Sequence, residues 1–496
     1  MHFPILTAIL LVPLAGAGLV LLLRREYETE ARATSLLATV VALGLSVQMW
    51  AGFPTGDPGM QFKETREWIP SMGVQYALGV DGVAMPLVAL TCLLGPLVVL
   101  VSWKSVKTRV KEFHVAVLVL QSAMVGVFVA RDLFLFYVFW EAMLVPMYLL
   151  IGVWGGDRRV YAAVKFFVYT MVGSLLMLIA ILVVYWKAGQ TFDVEAITRT
   201  LADFLADKPG LQKWLFGAFA LAFLIKVPMF PFHTWLPDAH TEAPTAGSVV
   251  LAGVMLKMGT FGFLRYAIPW FPMALEAFWW LLAALSIIGI VYGALMCLAQ
   301  DDVKKLIAYS SVSHMGFVML GILAMNEEAV QGAVLQMLNH GLSTGALFLL
   351  IGMIYERTHT RHIEDYGGLA KIAPRYATLF VIVTLSSIGL PGLNGFVGEF
   401  LILLGTFRAE PWLGAVAGLG VVLGATYMLW LVQKVFFGPM KVRHAEHVTD
   451  LDAREVGLLV PVVLLMVAIG VGPGFVLSKT DASVKAIVQG YERAPK

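Results

Sequence analysis

Charged residues are scarce in this chain. Aspartate, glutamate, lysine and arginine make up 14% of its 496 residues, whereas about 25% is usual in soluble domains. The net charge of +2, without a basic arm or a glycine-rich phosphate loop, gives no indication of nucleic-acid binding. Because 59% of the residues are hydrophobic and several runs reach the roughly 20 residues that cross a bilayer, the composition predicts an all-α, multi-pass membrane protein.

Cysteine is scarcer still. Only Cys92 and Cys297 are present, far apart and each within an apolar run. They form neither a CxxC motif nor the spacing of an iron–sulfur site. We therefore expect no disulfide framework and no redox centre in this chain.

Apolar runs between charged or proline- and glycine-rich breaks predict fourteen membrane-spanning helices, numbered here as spans 1 to 14. Their predicted bounds are 3–23, 32–50, 82–102, 113–130, 132–152, 162–186, 214–231, 246–266, 275–298, 303–324, 329–354, 376–407, 413–437 and 456–476. Long hydrophilic loops are expected at 51–80, 187–213 and 355–375.

Spans 7 and 12 are predicted to be interrupted. In span 7, Pro228 and Pro231 lack the amide hydrogens that the carbonyl groups of Leu224 and Val227 need. In span 12, the segment 387–395 contains one proline and three glycines. Irregular backbone at membrane depth is tolerated only inside protein or beside water. Paired interruptions of this kind indicate the inverted repeats of a transporter.

The two interruptions are five spans apart, which predicts two inverted five-helix repeats, spans 4–8 and spans 9–13. The predicted division is an N-terminal three-helix segment (1–112), a first repeat (113–270), a second repeat (271–440), and a C-terminal helix and tail (441–496). Arginine and lysine are more frequent in the loops on one side. This asymmetry predicts that both termini lie outside, on the periplasmic side of a bacterial inner membrane.

Seven ionisable side chains lie inside predicted spans, although a charge in hydrocarbon is costly. Such residues usually face a protein interior or a wet cavity and carry function. They are Glu141, Lys165, Lys226, Lys257, His314, His340 and Glu399. Charges of both signs, together with two histidines, indicate a proton path rather than an anchor.

Glu141 has no positive residue within one helical turn, so its partner must come from another span. Lys226, beside the interruption of span 7, is the natural partner. A lysine whose carboxylate partner moves away can release its proton, which makes such a pair a switch. Two structural alternatives stay open, an ion pair that only holds two helices together and a lysine that only satisfies the free carbonyls of the broken helix.

The other five residues differ in how strongly they indicate a function. Lys257 lies in the middle of span 8, where it cannot easily reach either membrane surface, and it could pass protons between the two halves. Glu399, after the second interruption, is the candidate terminal carrier. His314 and His340 suit a relay, although single buried histidines are often only hydrogen-bonded core residues. Snorkelling to the nearby surface explains Lys165 as well as a function does.

The segment 232–244 carries four side chains of types that bind metals. Their spacing matches no metal motif, and the prolines at 231, 237 and 244 prevent one regular helix from aligning them. We therefore expect a gating or helix-linking loop here rather than a metal site. The four side chains are His233, Asp238, His240 and Glu242.

Four segments resemble the antiporter-like membrane subunits of respiratory complex I, the NADH:quinone oxidoreductase. They are WEAMLVPMY at 140–148, the block 226–257 with FHTWLPDAH at 232–240, KKLIAYSSVSH at 304–314, and GLPGLNGFVGEF at 389–400. The resemblance covers nearly the whole chain. It implies fourteen helices with inverted repeats, each of which contributes a proton half-channel.

The resemblance also implies roles for particular residues. In that family a glutamate of span 5 pairs with a lysine of span 7, and these match Glu141 and Lys226. Lys257 matches the central lysine of span 8. His314 and His340 match polar residues of the axis that connects the two halves.

Glu399 matches the terminal residue of span 12, where sister subunits carry lysine, and it therefore favours one branch of the family. The resemblance further implies that NADH, FMN, iron–sulfur clusters and quinone bind to other subunits, so that this chain holds no cofactor or metal. The implied partners are the lipid bilayer and the other membrane subunits of the complex, especially neighbouring antiporter-like subunits.

The function that follows is proton translocation by a membrane-arm subunit, with the redox catalysis of the enzyme performed elsewhere. A proton would move from Lys226 through Lys257 and the histidines to Glu399. One alternative is the related subunit of a multi-subunit cation/proton antiporter, which shares the glutamate, the lysines and the helix plan. Another is a structural module that only docks redox partners, and the seven buried ionisable groups argue against it.

Overall fold

The computed structural model describes residues 3–442 and 448–494, apart from the side chains of residues 202 and 203. Within these ranges, twelve helices are long and apolar enough to cross a membrane. They coincide with all predicted spans except 7 and 12, which confirms the all-α, multi-pass fold. Their bounds are Ile5–Leu22, Glu28–Gly52, Ala84–Ser105, Val110–Val129, Leu133–Trp154, Arg159–Lys187, Thr245–Trp270, Pro272–Leu298, Val303–Leu323, Glu327–Thr358, Pro411–Phe436 and Ala453–Val471.

Spans 7 and 12 are both interrupted, as predicted. Span 7 consists of the helix Pro209–Lys226, a stretch of turns, and the short helix Trp235–Glu242. Span 12 consists of the helices Pro374–Ser387 and Asn394–Ala409. The prolines cannot donate the helical hydrogen bond, and between the two halves of span 12, Gly389 has a positive φ of 73°, a conformation that glycine adopts without strain.

Two further spans depart from a continuous α-helix, although the sequence predicted regular helices there. Span 5 is broken at Met143 into Leu133–Ala142 and Leu144–Trp154. The cause is Pro146, which has no N–H for the carbonyl of Ala142 and whose ring crowds that carbonyl.

Span 8 contains two π-helical segments, a form that is frequent at functional sites. In chain order its segments are the helix Thr245–Val250, the π-segment Leu251–Met255, the helix Leu256–Gly262, the π-segment Phe263–Ala267 and the helix Ile268–Trp270. Lys257 therefore lies on a short α-helical segment between two π-segments.

The predicted loops contain regular structure that the sequence analysis missed. Loop 51–80 folds into an antiparallel hairpin of strands Gln61–Ile69 and Val74–Val80, and loop 187–213 contains the amphipathic helix Val194–Leu205. The predicted tail contains a 20-residue C-terminal helix, Gly474–Arg493. The 3-10 turns are Pro70–Met72, Ile363–Asp365 and Leu369–Lys371.

The hairpin, the amphipathic helix and the C-terminal helix lie at one end of the bundle, which we call the hairpin face. Lys63 of the hairpin lies 3.0 Å from the carboxylate of Glu195 in the amphipathic helix. Lys479 of the C-terminal helix donates a hydrogen bond to the carbonyl of Phe53, at the end of span 2. The opposite end contains a large cavity and is called the cavity face.

Spans 5 and 10 begin with the same construction. Asp132 and Asp302 each accept hydrogen bonds from the N–H groups two and three residues further on, and such a cap stabilises a helix start. Each aspartate also forms a short antiparallel bridge to the loop after the next span, Asp132 to Asp193 and Asp302 to His362. Because five spans separate them, the two constructions lie at opposite ends of the bundle, which supports inverted repeats. The boundaries of the four predicted segments stay a prediction.

Candidate functional site

Five of the seven predicted ionisable residues are buried within the bundle. Their exposed fractions are 6% or less, whereas Glu141 and Lys165 are half-buried. The five are Lys226, Lys257, His314, His340 and Glu399. Burial at this depth requires partners for each charge or a readily changed protonation state.

The second half of the predicted route is a nearly continuous row of side chains. Lys257 Nζ lies 2.7 Å from His340 Nδ1. The rings of His340 and His314 are 5.5 Å apart between centroids. His314 Nδ1 lies 2.9 Å from Glu399 Oε1. The fold therefore brings residues of spans 8, 10, 11 and 12 into one line.

The start of this row is held by the irregular backbone of span 8. Lys257 donates a second hydrogen bond to the carbonyl of Ala252, five residues earlier and inside the first π-segment. A π-segment displaces carbonyl groups from the regular helical pattern, which makes such an acceptor accessible. The lysine side chain is thus directed from span 8 toward span 11.

Polar residues that the sequence analysis did not identify surround the end of the row. Gln336 donates a hydrogen bond to Glu399 Oε1 at 3.1 Å, and Asn339 donates one to the carbonyl of Asn394 at 2.7 Å. Ser387 Oγ lies 3.5 Å from His314 Nε2. A signal was present in span 11, because Gln336, Asn339 and His340 have the i, i+3, i+4 spacing of one helical face.

The first half of the route is constructed differently. Glu141 lies in the last turn of the helix Leu133–Ala142, and Lys226 is the last residue of its helix. Neither Glu141 Oε1 nor Lys226 Nζ makes a hydrogen bond to another described residue. The two side chains therefore make no direct hydrogen bond, and the pairing of their charges stays a prediction. Instead, the ammonium group of Lys226 lies 5.1 Å from the ring of Trp140, a cation–π contact that partly replaces its hydration.

The two lysines are separated by a close packing of backbone on backbone. A Cβ atom on Gly259 of span 8 would lie 2.6 Å from the carbonyl oxygen of Phe223 and 3.0 Å from the amide nitrogen of Val227. Only glycine permits this approach. Span 8 thus lies directly against the end of the helix that carries Lys226, while Lys257 points to the other side, toward His340.

Lys165 takes part in an ion pair that the sequence analysis did not predict. Its ammonium group lies 2.7 Å from Asp238 Oδ2, and both side chains are partly exposed. Asp238 belongs to the short helix Trp235–Glu242, in a segment that was predicted to be a loop. This helix tolerates Pro237 because the N–H groups of the first turn have no helical acceptor.

The histidine of that short helix, His240, is fully buried. Its ring stacks on Phe348 with 4.6 Å between centroids, and neither ring nitrogen forms a hydrogen bond with a described residue. Over the described ranges, no group of three or more histidine, cysteine, aspartate or glutamate side chains is placed to hold a metal ion.

A cavity of about 900 Å³ lies at the cavity face, between the ends of spans 3, 5, 6, 8, 10 and 11. At its floor, Lys304 Nζ donates a hydrogen bond of 2.5 Å to the carbonyl of Ala243, and Arg361 donates one of 2.6 Å to the carbonyl of Thr241. The cavity thus reaches the residue next to His240. Its charged lining consists of Lys104, Lys107, Arg159, Lys304, Arg361, Glu242 and Glu356.

Two sequence profiles match the chain. The profile described as NADH:quinone oxidoreductase/Mrp antiporter, TM, matches residues 130–424. The profile described as NADH-ubiquinone oxidoreductase chain 4, amino terminus, matches residues 60–127. The longer match contains all seven predicted residues.

Among solved structures, a chain of respiratory complex I from Thermus thermophilus with bound NADH superposes with a TM-score of 0.89. The two sequences are 35% identical, and the match covers 98% of this chain and 99% of that one. A chain of the archaeal membrane-bound sulfane sulfur reductase has a TM-score of 0.84 at 26% identity, covering 95% of this chain and 76% of that one. A chain of the Mrp complex from Dietzia has a TM-score of 0.83 at 24% identity, covering 98% of this chain and 55% of that one, and indicates the fold alone.

Close relatives cover the chain almost completely. NADH-quinone oxidoreductase subunit M of Rhodobacter capsulatus is 48% identical over 98% of this chain and 97% of its own length. NADH-ubiquinone oxidoreductase chain 4 of Marchantia polymorpha is 41% identical over the same shares. The branch of subunit M is the one that Glu399 favoured. This chain belongs to the family of NADH-quinone oxidoreductase subunit M and NADH-ubiquinone oxidoreductase chain 4.

Proposed function

We propose that this chain translocates protons as a membrane-arm subunit of NADH:quinone oxidoreductase, while other subunits carry the NADH, FMN, iron–sulfur and quinone chemistry. The observation that carries the proposal is the row from Lys257 through His340 and His314 to Glu399. A buried row of titratable groups in contact has no structural necessity, since apolar side chains would fill the same space at lower cost.

The row, which is the second half of the route, acts as a relay. A neutral histidine can accept a proton on one ring nitrogen and release the proton from the other. His340 therefore takes a proton from Lys257 on Nδ1, which lies 2.7 Å from the ammonium nitrogen. His314 passes a proton to the carboxylate of Glu399 across 2.9 Å. The transfer between the two histidines crosses the longest step of the row.

The first half of the route, formed by Glu141 and Lys226, acts as a switch. Approach of Glu141 to Lys226 stabilises the charged ammonium, and separation favours release of its proton in this apolar surrounding. Both residues lie at a helix end, and Lys226 has no fixed hydrogen-bond partner among the described residues. Small movements at the breaks therefore change the distance between the two charges without disturbing a continuous helix.

Neighbouring membrane subunits cover both ends of the proposed route, at Glu141 and at Glu399. Beside half-buried Glu141, the same face of span 5 exposes Val145 and Leu149. Near Glu399, Leu390 and Phe400 are exposed. A carboxylate that borders a lipid-exposed face would be costly, so a partner protein at the Glu141 end shields it from lipid. The names of the relatives agree with a place in an NADH:quinone oxidoreductase complex.

The cation/proton antiporter is the second candidate, and two observations favour complex I over it. The profile over residues 130–424 describes both classes and does not separate them. The profile over residues 60–127 describes chain 4 alone, and the relatives at 48% and 41% identity carry complex I names. The similarity to the Mrp complex extends only to the fold.

The chain resides in the inner membrane of a bacterium, with the cavity face in the cytoplasm and both termini in the periplasm. The excess of lysine and arginine at the cavity face supports this orientation. Thiol labelling of Lys107→Cys at the cavity face and Lys63→Cys at the hairpin face tests it, because Cys92 and Cys297 are buried. Labelling of the Lys107→Cys variant by an impermeant reagent from the periplasm would contradict it.

The test of the function is proton uptake driven by NADH in inverted membrane vesicles. Glu141→Gln and Lys226→Ala should each lower the protons moved per NADH oxidised while the complex still assembles. Glu30→Gln and Lys434→Ala, at exposed positions, are the matched controls and should pump normally. Full pumping by both site variants at normal assembly would contradict the proposal.

A further inference from the structure

A second buried charge pair lies outside the row, at the hairpin face of span 8. Arg265 Nη2 lies 2.7 Å from Asp81 Oδ1, and Asp81 is only 4% exposed. The same oxygen accepts hydrogen bonds from the backbone N–H groups of Val83 and Ala84 at 3.1 and 2.9 Å. Three donors therefore converge on one carboxylate oxygen.

Arg265 lies on span 8 between Lys257 and the hairpin face. Arg265 is eight residues beyond Lys257 on span 8, which corresponds to about 12 Å along a helix, and it lies within the second π-segment, Phe263–Ala267. Its side chain is 15% exposed. Arg265 is thus the charged residue of span 8 that separates Lys257 from the hairpin face.

The C-terminal helix closes this end of the bundle. Ser483 Oγ accepts a hydrogen bond of 2.9 Å from the N–H group of Gly82, next to Asp81. A Cβ atom at Gly82 would clash with the carbonyl oxygen of Lys479. Gln331 at the start of span 11 donates to Thr480 Oγ1 at 2.9 Å. The opposite end of span 8 borders the cavity of about 900 Å³, so its two ends differ in access.

We propose that the Arg265–Asp81 pair is a proton barrier, which prevents a proton on Lys257 from leaving toward the hairpin face and so directs it to His340 and Glu399. This inference rests on the proposed function, because it requires that Lys257 carries a transported proton. Without such a barrier, the pumped proton could leave from Lys257 and bypass the rest of the row.

The barrier follows from the chemistry of the two groups. A guanidinium has five N–H donors and no acceptor, and it does not give up its proton in proteins, so Arg265 cannot act as a relay. In selective pores, the fixed positive charge of an arginine can also exclude protons. A carboxylate can relay protons, but Arg265 and two backbone N–H groups occupy Asp81 Oδ1. Loss of Arg265 would leave the Asp81 carboxylate held by two backbone N–H groups alone, and able to take up and release a proton at the hairpin end of span 8.

Passive proton leak tests the barrier. The intact complex is reconstituted in liposomes without NADH, a potassium diffusion potential is imposed with valinomycin, and internal pH is followed with a dye. Arg265→Gln should raise the leak rate at least about tenfold, which corresponds to about 1.4 kcal/mol of barrier. The double variant Asp81→Asn with Arg265→Gln should return the leak close to the wild-type rate, because the relaying carboxylate is gone.

The control is Arg131→Gln. Arg131 is also buried, 7% exposed, and also paired at the hairpin face, 3.1 Å from Glu195, but it lies at the start of span 5 rather than on span 8. It should show no added leak. An Arg265→Gln complex that assembles without leak, or a double variant as leaky as the single one, would overturn the barrier.

These experiments distinguish failure of the barrier from failure of the proposed function. If only the barrier is wrong, Glu141→Gln and Lys226→Ala still lose NADH-driven pumping while Arg265→Gln does not leak. If the proposed function is wrong, those two variants pump normally, and the barrier fails with it whatever the leak of Arg265→Gln.

Discussion

The two halves of the proposed route use the same residue types but are constructed in opposite ways. Glu141 and Lys226 lie at helix ends, and Glu141 Oε1 and Lys226 Nζ form no hydrogen bond to a described residue. The segment from Lys257 to Glu399 is held by contacts of 2.7 and 2.9 Å and by a surrounding network of amide side chains.

The difference indicates a division of labour within one chain. A switch needs an element with two arrangements of similar free energy, and broken helices with unsatisfied charges provide one. A relay needs donors and acceptors already at hydrogen-bond distance, since a displacement of about 1 Å can cost on the order of a hundredfold in rate. Side chains of the same types therefore do different work because the backbone around them differs.

The largest expected contrast comes from shortening the carboxylate in each half. Glu399→Asp withdraws the carboxylate by about 1.5 Å, one C–C bond, from His314 and Gln336, and should lower NADH-driven pumping at least about tenfold. Glu141→Asp has no fixed contact to lose at Oε1 and should lower pumping by about two- to threefold, less than 1 kcal/mol. Proton uptake per assembled complex measures both. Equal losses would remove the distinction between switch and relay.

A smaller contrast is expected from the side chains that support the charges. Gln336→Leu removes the 3.1 Å hydrogen bond to Glu399, and the loss of one hydrogen bond to a charged group should cost about 1.5–3 kcal/mol, seen as a clear drop in pumping. Trp140→Phe keeps an aromatic ring near Lys226 and should cost about 0.5–1 kcal/mol at most. Pumping rates of the two variants, measured side by side, check the order. A larger effect of Trp140→Phe would indicate that Lys226 has a fixed site.

The smallest effect is expected outside both halves, at the capping box of span 14. Asp452 accepts a hydrogen bond from the N–H group of Glu455 at 2.8 Å. Asp452→Ala should lower stability by about 1 kcal/mol and leave pumping unchanged. Thermal unfolding of the purified complex in detergent measures the stability, and proton uptake by vesicles measures the pumping.

Acid should abolish this stability difference. The hydrogen bond from the Glu455 N–H group lowers the pKa of Asp452 below its ordinary value of 3.8. A carboxylate with a lowered pKa contributes stability above its unfolded-state pKa and loses that contribution as pH falls through its folded-state pKa. The difference in melting temperature between the wild type and Asp452→Ala should therefore begin to shrink below about pH 4 and vanish only below the lowered folded-state pKa. A difference that does not shrink at all as the pH falls would show that the charge of Asp452 does not contribute.

Much of the fold could be predicted because the causes are local. A run of apolar residues long enough for the bilayer determines a span, and a proline without an N–H group favours a break, although Pro13, Pro96 and Pro461 lie inside continuous helices. Pro228 and Pro231 were interpreted in this way and the break is present. Pro146 was overlooked, although it acts by the same mechanism on span 5. The hairpin was missed because strand Gln61–Ile69 is mostly exposed and its pattern resembles a polar loop.

The site could be predicted only as a set of residues, not as an arrangement. The seven ionisable residues were evident because charge inside an apolar run is rare. Their partners were not evident, because ion pairs such as Lys165 with Asp238 and Arg265 with Asp81 join residues far apart in sequence. The pairing of Glu141 with Lys226 stays a prediction, since the two side chains make no direct hydrogen bond.

The sequence by itself determined the class of protein, the number of apolar runs, the two main interruptions and the identity of the buried charges. Each of these depends on the properties of residues within one or two helical turns. Only the tertiary structure decided that Lys257, His340, His314 and Glu399 form a row while Lys226 does not hydrogen-bond to it. Contact between side chains depends on how whole helices pack, and the closest approach, at Gly259, is set by backbones that meet across two spans.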